Sequence, residues 1–192
     1  MTIVRRIAAQ QDGIVTLAQA RGAGYTVHEV QRLCRAGRWR VVARAGYLVD
    51  PDLHDGVPRR ARIRAAIESF GPAATAVLGT AAELHQTGLR GGDAIHLSVP
   101  GRVARPMRRA HPDVLVHQLV IAPTELGQVS GIRTTTPART IADLILREER
   151  WAAVSLVDSA LNRRLITARR FAADPGGDQG SAWRRHGAPL PC

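Results

Sequence analysis

The residues best suited to chemistry are polar ones on a single predicted helix. In the stretch Val27 to Ala36, Val27, Val30, Leu33 and Cys34 make an inward face at helical spacing. That leaves His28, Gln31, Arg32 and Arg35 pointing outward. Arg pairs bidentately with guanine, Gln with adenine, and both hydrogen-bond phosphate, so this set reads as a nucleic-acid contact surface. A solvated polar face is the other reading, and the helix alone leaves the two level. The next residues tip the balance. Trp39 to Ala43 and Tyr47 to Val49 alternate well enough for a two-stranded hairpin, with Arg44-Ala45-Gly46 as its turn. Such a wing sets Arg40 and Arg44 beside the phosphate backbone or in a minor groove. Trp39 is expected to pack the wing onto the helices.

Other chemistry finds less support. All 27 basic residues are Arg, so there is no Walker A lysine, Schiff-base lysine or Ser–Lys dyad. Cys34 and Cys192 form no metal-binding pair, and Cys34 falls on an apolar helix side. His85, His96, His111 and His117 lack the spacing of a helical metal motif, although His96 and His117 sit on separate predicted strands and can meet across a sheet. Asp143 is expected to pair with Arg139 one helical turn earlier, and Ser98 has no nucleophile context. Arg102, Arg105, Arg108 and Arg109 lie on a Pro-broken loop, where a second phosphate patch and a plain solvated loop weigh evenly. The chain therefore reads as a non-enzyme without cofactor or metal.

Several elements must position the first set. Ile3 to Gln10 patterns as a helix, Asp12-Gly13 as a turn, and Ile14-Val15 as a short extended piece. Thr16 caps a helix over Leu17 to Gly22, and Thr26 with Glu29 three residues on makes a capping box for the outward-facing helix. The order predicts a winged helix-turn-helix over residues 1–50, followed by an acidic, Pro- and Gly-marked linker, Asp50 to Val57. A second unit over 58–173 mixes helices and strands as α+β: a helix from Pro58 with the apolar stripe Ile63, Ala66, Ile67 and Phe70 opposite Arg59, Arg60, Arg62 and Arg64; a helix capped by Thr80; strands Ala94–Val99, Val114–Leu119 and 131–135; a helix opened by Pro137; another over Trp151–Leu161; and a last turn capped by Thr167. Residues 174–192, without periodicity and rich in Pro and Gly, read as a disordered tail.

Bulk properties agree with a polyanionic partner. The formal charge of the 192 residues is +11, which favours phosphate contacts and counterion release. Arg replacing Lys throughout, beside much Ala and Gly, is also the mark of GC-rich coding, which tempers that inference. No apolar run approaches the length needed to cross a bilayer, and residues 1–13 lack a signal-peptide core, so the cytoplasm is the expected compartment.

The order of five segments resembles the AbiEi-type antitoxins of type IV toxin–antitoxin systems, in the form common in actinobacteria. They are QQDGIVTLAQARGAG, GRWRVVARAGYLV, GTAAELHQTGL, IHLSVPG and GIRTTTPARTIADL, together spanning about residues 3 to 165. The resemblance implies binding to double-stranded DNA of the chain's own promoter, at inverted repeats, and autorepression. It also implies an antitoxin role against a neighbouring nucleotidyltransferase toxin, which the antitoxin need not touch. Family members often continue past residue 166, some into a nuclease-like domain, so the final residues read as a truncated or frameshifted end. A remnant of a nuclease-related DNA-processing protein, and a protein-interaction module that uses the wing to grip a partner, are the competing readings.

Overall fold

The architecture turns on one helix that is buried from two sides. The computed structural model describes residues 2–44, 46–88, 92–101 and 113–167. Their elements run α1 (Ile3–Gln10), β1 (Ile14–Thr16), α2 (Leu17–Gly22), α3 (Val27–Arg35), β2 (Trp39–Ala43), β3 (Gly46–Val49), α4 (Arg59–Phe70), β4 (Thr75–Ala76), α5 (Leu78–Leu84), β5 (Ile95–Ser98), β6 (Val114–His117), β7 (Leu126–Val129), β8 (Ile132–Thr135), α6 (Pro137–Ile145) and α7 (Arg150–Asn162). Short 3-10 turns lie at Pro51–Leu53 and Pro123–Glu125. Seven α-helices and two sheets among the described residues make a mixed α+β fold. The tail at 174–192, the last helical turn expected after Thr167 and the Arg102, Arg105, Arg108 and Arg109 loop lie outside the described residues.

The first sheet has the order β1-β3-β2, antiparallel throughout. The extended piece at Ile14 and Val15 thus joins the hairpin as a third strand, because β3 offers it an unpaired edge. A bulge between Val41 and Ala43 kinks β2. Val4, Ala8, Val15, Ala20, Val30, Trp39 and Val49 pack as the core of this unit.

The second sheet runs β6-β5-β4-β8-β7, with β5–β6 and β4–β8 parallel and the other pairs antiparallel. Alternation along its strands sorts side chains to two faces. Ala76, Ile95, Leu97 and Ile132 meet Ile63, Ala66 and Ile67 of α4. Val77 instead joins Leu78, Ala82, Ile141, Leu144, Leu156 and Ala160 among α5, α6 and α7.

Helix α4 also presents Ala61 and Ala65 to Ile14, Ala43 and Leu48 of the first sheet. The single apolar stripe expected for this helix is therefore a correction: apolar residues cover two sides, and one of the four arginines turns inward. Arg64 is 3% exposed. Its Nε and Nη2 reach the Asp12 carboxylate at 2.8 Å, and Nη2 donates to the Ser130 carbonyl at 2.6 Å. The guanidinium is accommodated because a carboxylate and a carbonyl meet it there. Asp12 and Ser130 both adopt positive φ, 52° and 48°.

Three further expectations differ. β4, two residues long, and β7, with Val129 its one β-branched residue, do not stand out alone; β4 forms between β5 and β8, and β7 by pairing with β8. Ser130 and Gly131, with φ 48° and 78°, form the β7–β8 turn, so the strand expected from Gly131 starts at Ile132. Thr80 does not cap α5, which starts two residues earlier; its buried hydroxyl accepts the His96 backbone N–H at 2.8 Å.

Candidate nucleic-acid interface

The α2–α3 pair is held by local chemistry that the residues dictate. Thr16 and Gln19 form a capping box at α2, with bonds of 3.1 and 2.9 Å. Gly24, at φ 92°, takes the left-handed conformation the turn needs. At α3 the Glu29 N–H donates to the Thr26 hydroxyl at 3.2 Å, and the Glu29 carboxylate accepts from the Thr26 N–H and hydroxyl, each at 2.8 Å. Those Thr26 bonds, backbone first, hold the Glu29 carboxyl below the usual carboxylate range.

Val30 is buried, and Leu33 and Cys34 are half-buried against Trp39, Tyr25 and Tyr47. Burial pushes the Cys34 thiol pKa up, away from reactivity. Val27, expected inside, is 44% exposed, because it sits in the first helical turn beyond the reach of the sheet. Trp39 is 5% exposed, its ring centroid 5.6 Å from Tyr25 and 6.0 Å from Tyr47. It ties β2 to the helices.

His28, Gln31, Arg32 and Arg35 are all exposed or half-exposed toward solvent. They lie at i, i+3, i+4 and i+7, one stripe of a regular helix. The Arg35 Nε donates to the Gln31 carbonyl at 3.5 Å, which steers its guanidinium along the helix. Arg40 and Arg44 are exposed on the hairpin that follows. The hairpin is fixed from behind: the Ser69 hydroxyl donates to the Arg44 carbonyl at 2.7 Å, and a Cβ on Gly46 would meet Ala65 at 3.2 Å. Arg38, exposed between α3 and β2, and Val41, 60% exposed on the hairpin, share this region. Sequence reasoning missed both; the signal for Arg38 was its place directly after the helix-ending Gly37. None of the six expected side chains has an ion-pair partner among the described residues.

The second sheet holds another polar cluster. His96 Nδ1 and His117 Nε2 lie 2.9 Å apart across β5 and β6, with the rings 12° from parallel. A centroid spacing of 5.1 Å accommodates that contact edge to edge. The rings therefore share a proton in one plane, N–H to N, and their lone pairs do not converge as a chelate requires. Burial first, then His96 and Arg147, lower the His117 pKa to about 4. Burial, Arg147 and Arg59 lower that of His96. Among the described residues no three His, Cys, Asp or Glu side chains gather as a metal site would need.

A family model for the AbiEi antitoxin C-terminal domain matches residues 74–191. The chain belongs to the AbiEi antitoxin family. It thus carries an antitoxin domain of a toxin–antitoxin system. Comparison with curated proteins gives no match.

Everything from β4 to α7 lies within the matched AbiEi region. Its PARTIAD segment builds a buried polar joint. Thr136 caps α6 by accepting the Arg139 N–H at 3.4 Å. Arg139 Nε meets both oxygens of Asp143 at 2.9 Å, the pairing expected one turn apart, and Nη1 adds Glu125. Burial raises the Asp143 pKa against the opposing pull of Arg139. Thr140 closes the joint, 2.7 Å from the Thr135 hydroxyl. These residues lock α6 to the β7–β8 hairpin and serve the AbiEi scaffold. Among the described residues no helix is long and apolar enough to cross a membrane.

Proposed function

We propose that residues 1–50 form a winged helix-turn-helix that binds double-stranded DNA, and that residues 58–173 supply the antitoxin domain, with α4 packed against both. One observation carries the reading. His28, Gln31, Arg32 and Arg35 form an outward stripe on a helix with a complete capping box, directly followed by a fixed hairpin bearing Arg40 and Arg44. Helix α3 enters the major groove, where Arg32, Arg35, Gln31 and His28 meet base edges and phosphates. Arg40 and Arg44 grip the flanking backbone. The DNA is the chain's own promoter, at inverted repeats, and binding represses the operon in the cytoplasm. The antitoxin domain counters a nucleotidyltransferase toxin encoded beside it without needing to touch it. The resemblance in segment order supports these last roles.

The test is binding to a labelled fragment of the gene's own upstream region, against scrambled DNA of equal length, at two salt concentrations. Tighter binding to the upstream fragment is expected. Substituting one phosphate-binding Arg should flatten the log K against log salt slope by about 0.9. Replacing a base-reading Arg should cost about 1–3 kcal/mol. Equal binding to both DNAs, unchanged in an Arg32→Ala/Arg35→Ala variant, would overturn the assignment. For the second half, co-expression with the adjacent nucleotidyltransferase should restore growth, and failure to do so overturns the toxin assignment.

A further inference from the structure

Helix α7 carries an apolar face that the described residues leave uncovered. Leu156 and Ala160 of α7 are buried in the domain core. On its other side Trp151 is 77% exposed and Val154 48%. Helix α7 thus carries apolar side chains on an outer stripe as well as on its buried side, with Ser155, Asp158, Ser159 and Asn162 between them. Ile145, Ala153, Val154, Val157 and Asp158 line a shallow depression of about 230 Å³ on this face, room for an indole ring.

The order of residues along the face names its occupant. Counted outward from Val154, Arg150 stands as far to one side as Asp158 to the other, and Trp151 as far as Val157. All five lie on one stripe of the helix, at i, i+1, i+4, i+7 and i+8. Two such helices laid antiparallel about a two-fold axis at Val154 put opposite charges and apolar partners in register. Each Arg150 then faces an Asp158, and each Trp151 enters the depression beside Val157. Neither Arg150 nor Asp158 has an ion-pair partner among the described residues, so both are free to pair across the axis. Arg150 only leans on its neighbour, its guanidinium 5.8 Å from the Trp151 ring. A two-fold contact demands a self-complementary surface of this kind.

We propose that the chain forms a two-fold homodimer through antiparallel α7 helices centred on Val154. The pairing stands on α7 alone and involves no DNA, so it succeeds or fails separately from the DNA-binding reading.

Sedimentation velocity of the full chain, from low to hundreds of micromolar, tests it. The expected mass rises from one chain to two with concentration. Val154→Glu sets two carboxylates against each other on the axis and should hold the protein at one chain, with an unchanged melting temperature. Arg150→Asp and Asp158→Arg should each weaken association on the order of tenfold. The two combined should restore it, since the charges again oppose. In a Cys34→Ser/Cys192→Ser background, Val154→Cys should cross-link chain to chain under oxidation. A wild-type chain that stays at one-chain mass throughout overturns the proposal and gives the face to a different protein. So does a double charge swap no tighter than the single ones.

Discussion

The His96–His117 pair makes the pH dependence of stability a quantitative test. In the unfolded chain His117 titrates near 6.5; in the folded protein burial, His96 and Arg147 bring it to about 4. Between those values the unfolded state binds a proton that the folded state refuses. The stabilisation is therefore fully present above about pH 6.5 and is lost as pH falls toward 4. Two and a half pH units at about 1.4 kcal/mol each would give about 3.5 kcal/mol. His117 is half-buried, and solvent screening leaves about 1–2 kcal/mol of that. The perturbation is His117→Gln, which keeps a hydrogen-bonding group toward His96 and removes the titration. Urea unfolding of the full chain, followed by far-ultraviolet circular dichroism from pH 7 to 4.5, reads the difference. The wild type should lose about 1–2 kcal/mol more than the variant over that range. Arg147→Met should also shallow the wild-type curve, because the Arg147 charge acts on both rings from an exposed position. Parallel curves for wild type and His117→Gln would refute the reasoning.

Other perturbations probe the joints between elements. Arg64→Met leaves the Ser130 carbonyl without its donor and the Asp12 carboxylate with Arg60 alone, and should cost about 1–3 kcal/mol in chemical denaturation. Thr26→Ala removes the α3 cap and should cost about 1 kcal/mol. If α3 is the DNA-reading helix, the same change should also weaken operator binding without touching an outward side chain. The α3 capping box should loosen as pH falls through the lowered Glu29 pKa, because that carboxylate's contribution is present above its unfolded value of 4.5 and is lost below. Amide exchange at Glu29 across that range would show it, and protection that does not change with pH would refute it. Trp39→Ala empties the centre of the first unit and should cost about 3–5 kcal/mol in thermal or urea unfolding.

Much of this chain is written locally. Thr16 with Gln19 and Thr26 with Glu29 fix two helix starts within four residues each, because a side-chain oxygen three positions from a free N–H needs no help from the rest of the fold. The outward stripe of α3, the hairpin with Arg40 and Arg44, and the Arg139–Asp143 pair follow from the same short-range periodicity. The AbiEi family is visible in the sequence as a resemblance in the order of those segments, and the match over residues 74–191 shows it. Only the tertiary structure decided the rest. β4 exists because β5 and β8 flank it, and β7 because β8 pairs with it. Thr80 serves His96 and not its own helix, since the strand it meets is 16 residues away in sequence. The two burials of α4, and the passage of Arg64 into the interior, depend on Asp12 and Ser130, which lie 52 and 66 residues distant. The reason is physical. Caps and periodicity are set by neighbours the chain cannot move apart, whereas burial of a charge or pairing of a short strand depends on partners that only folding brings within reach.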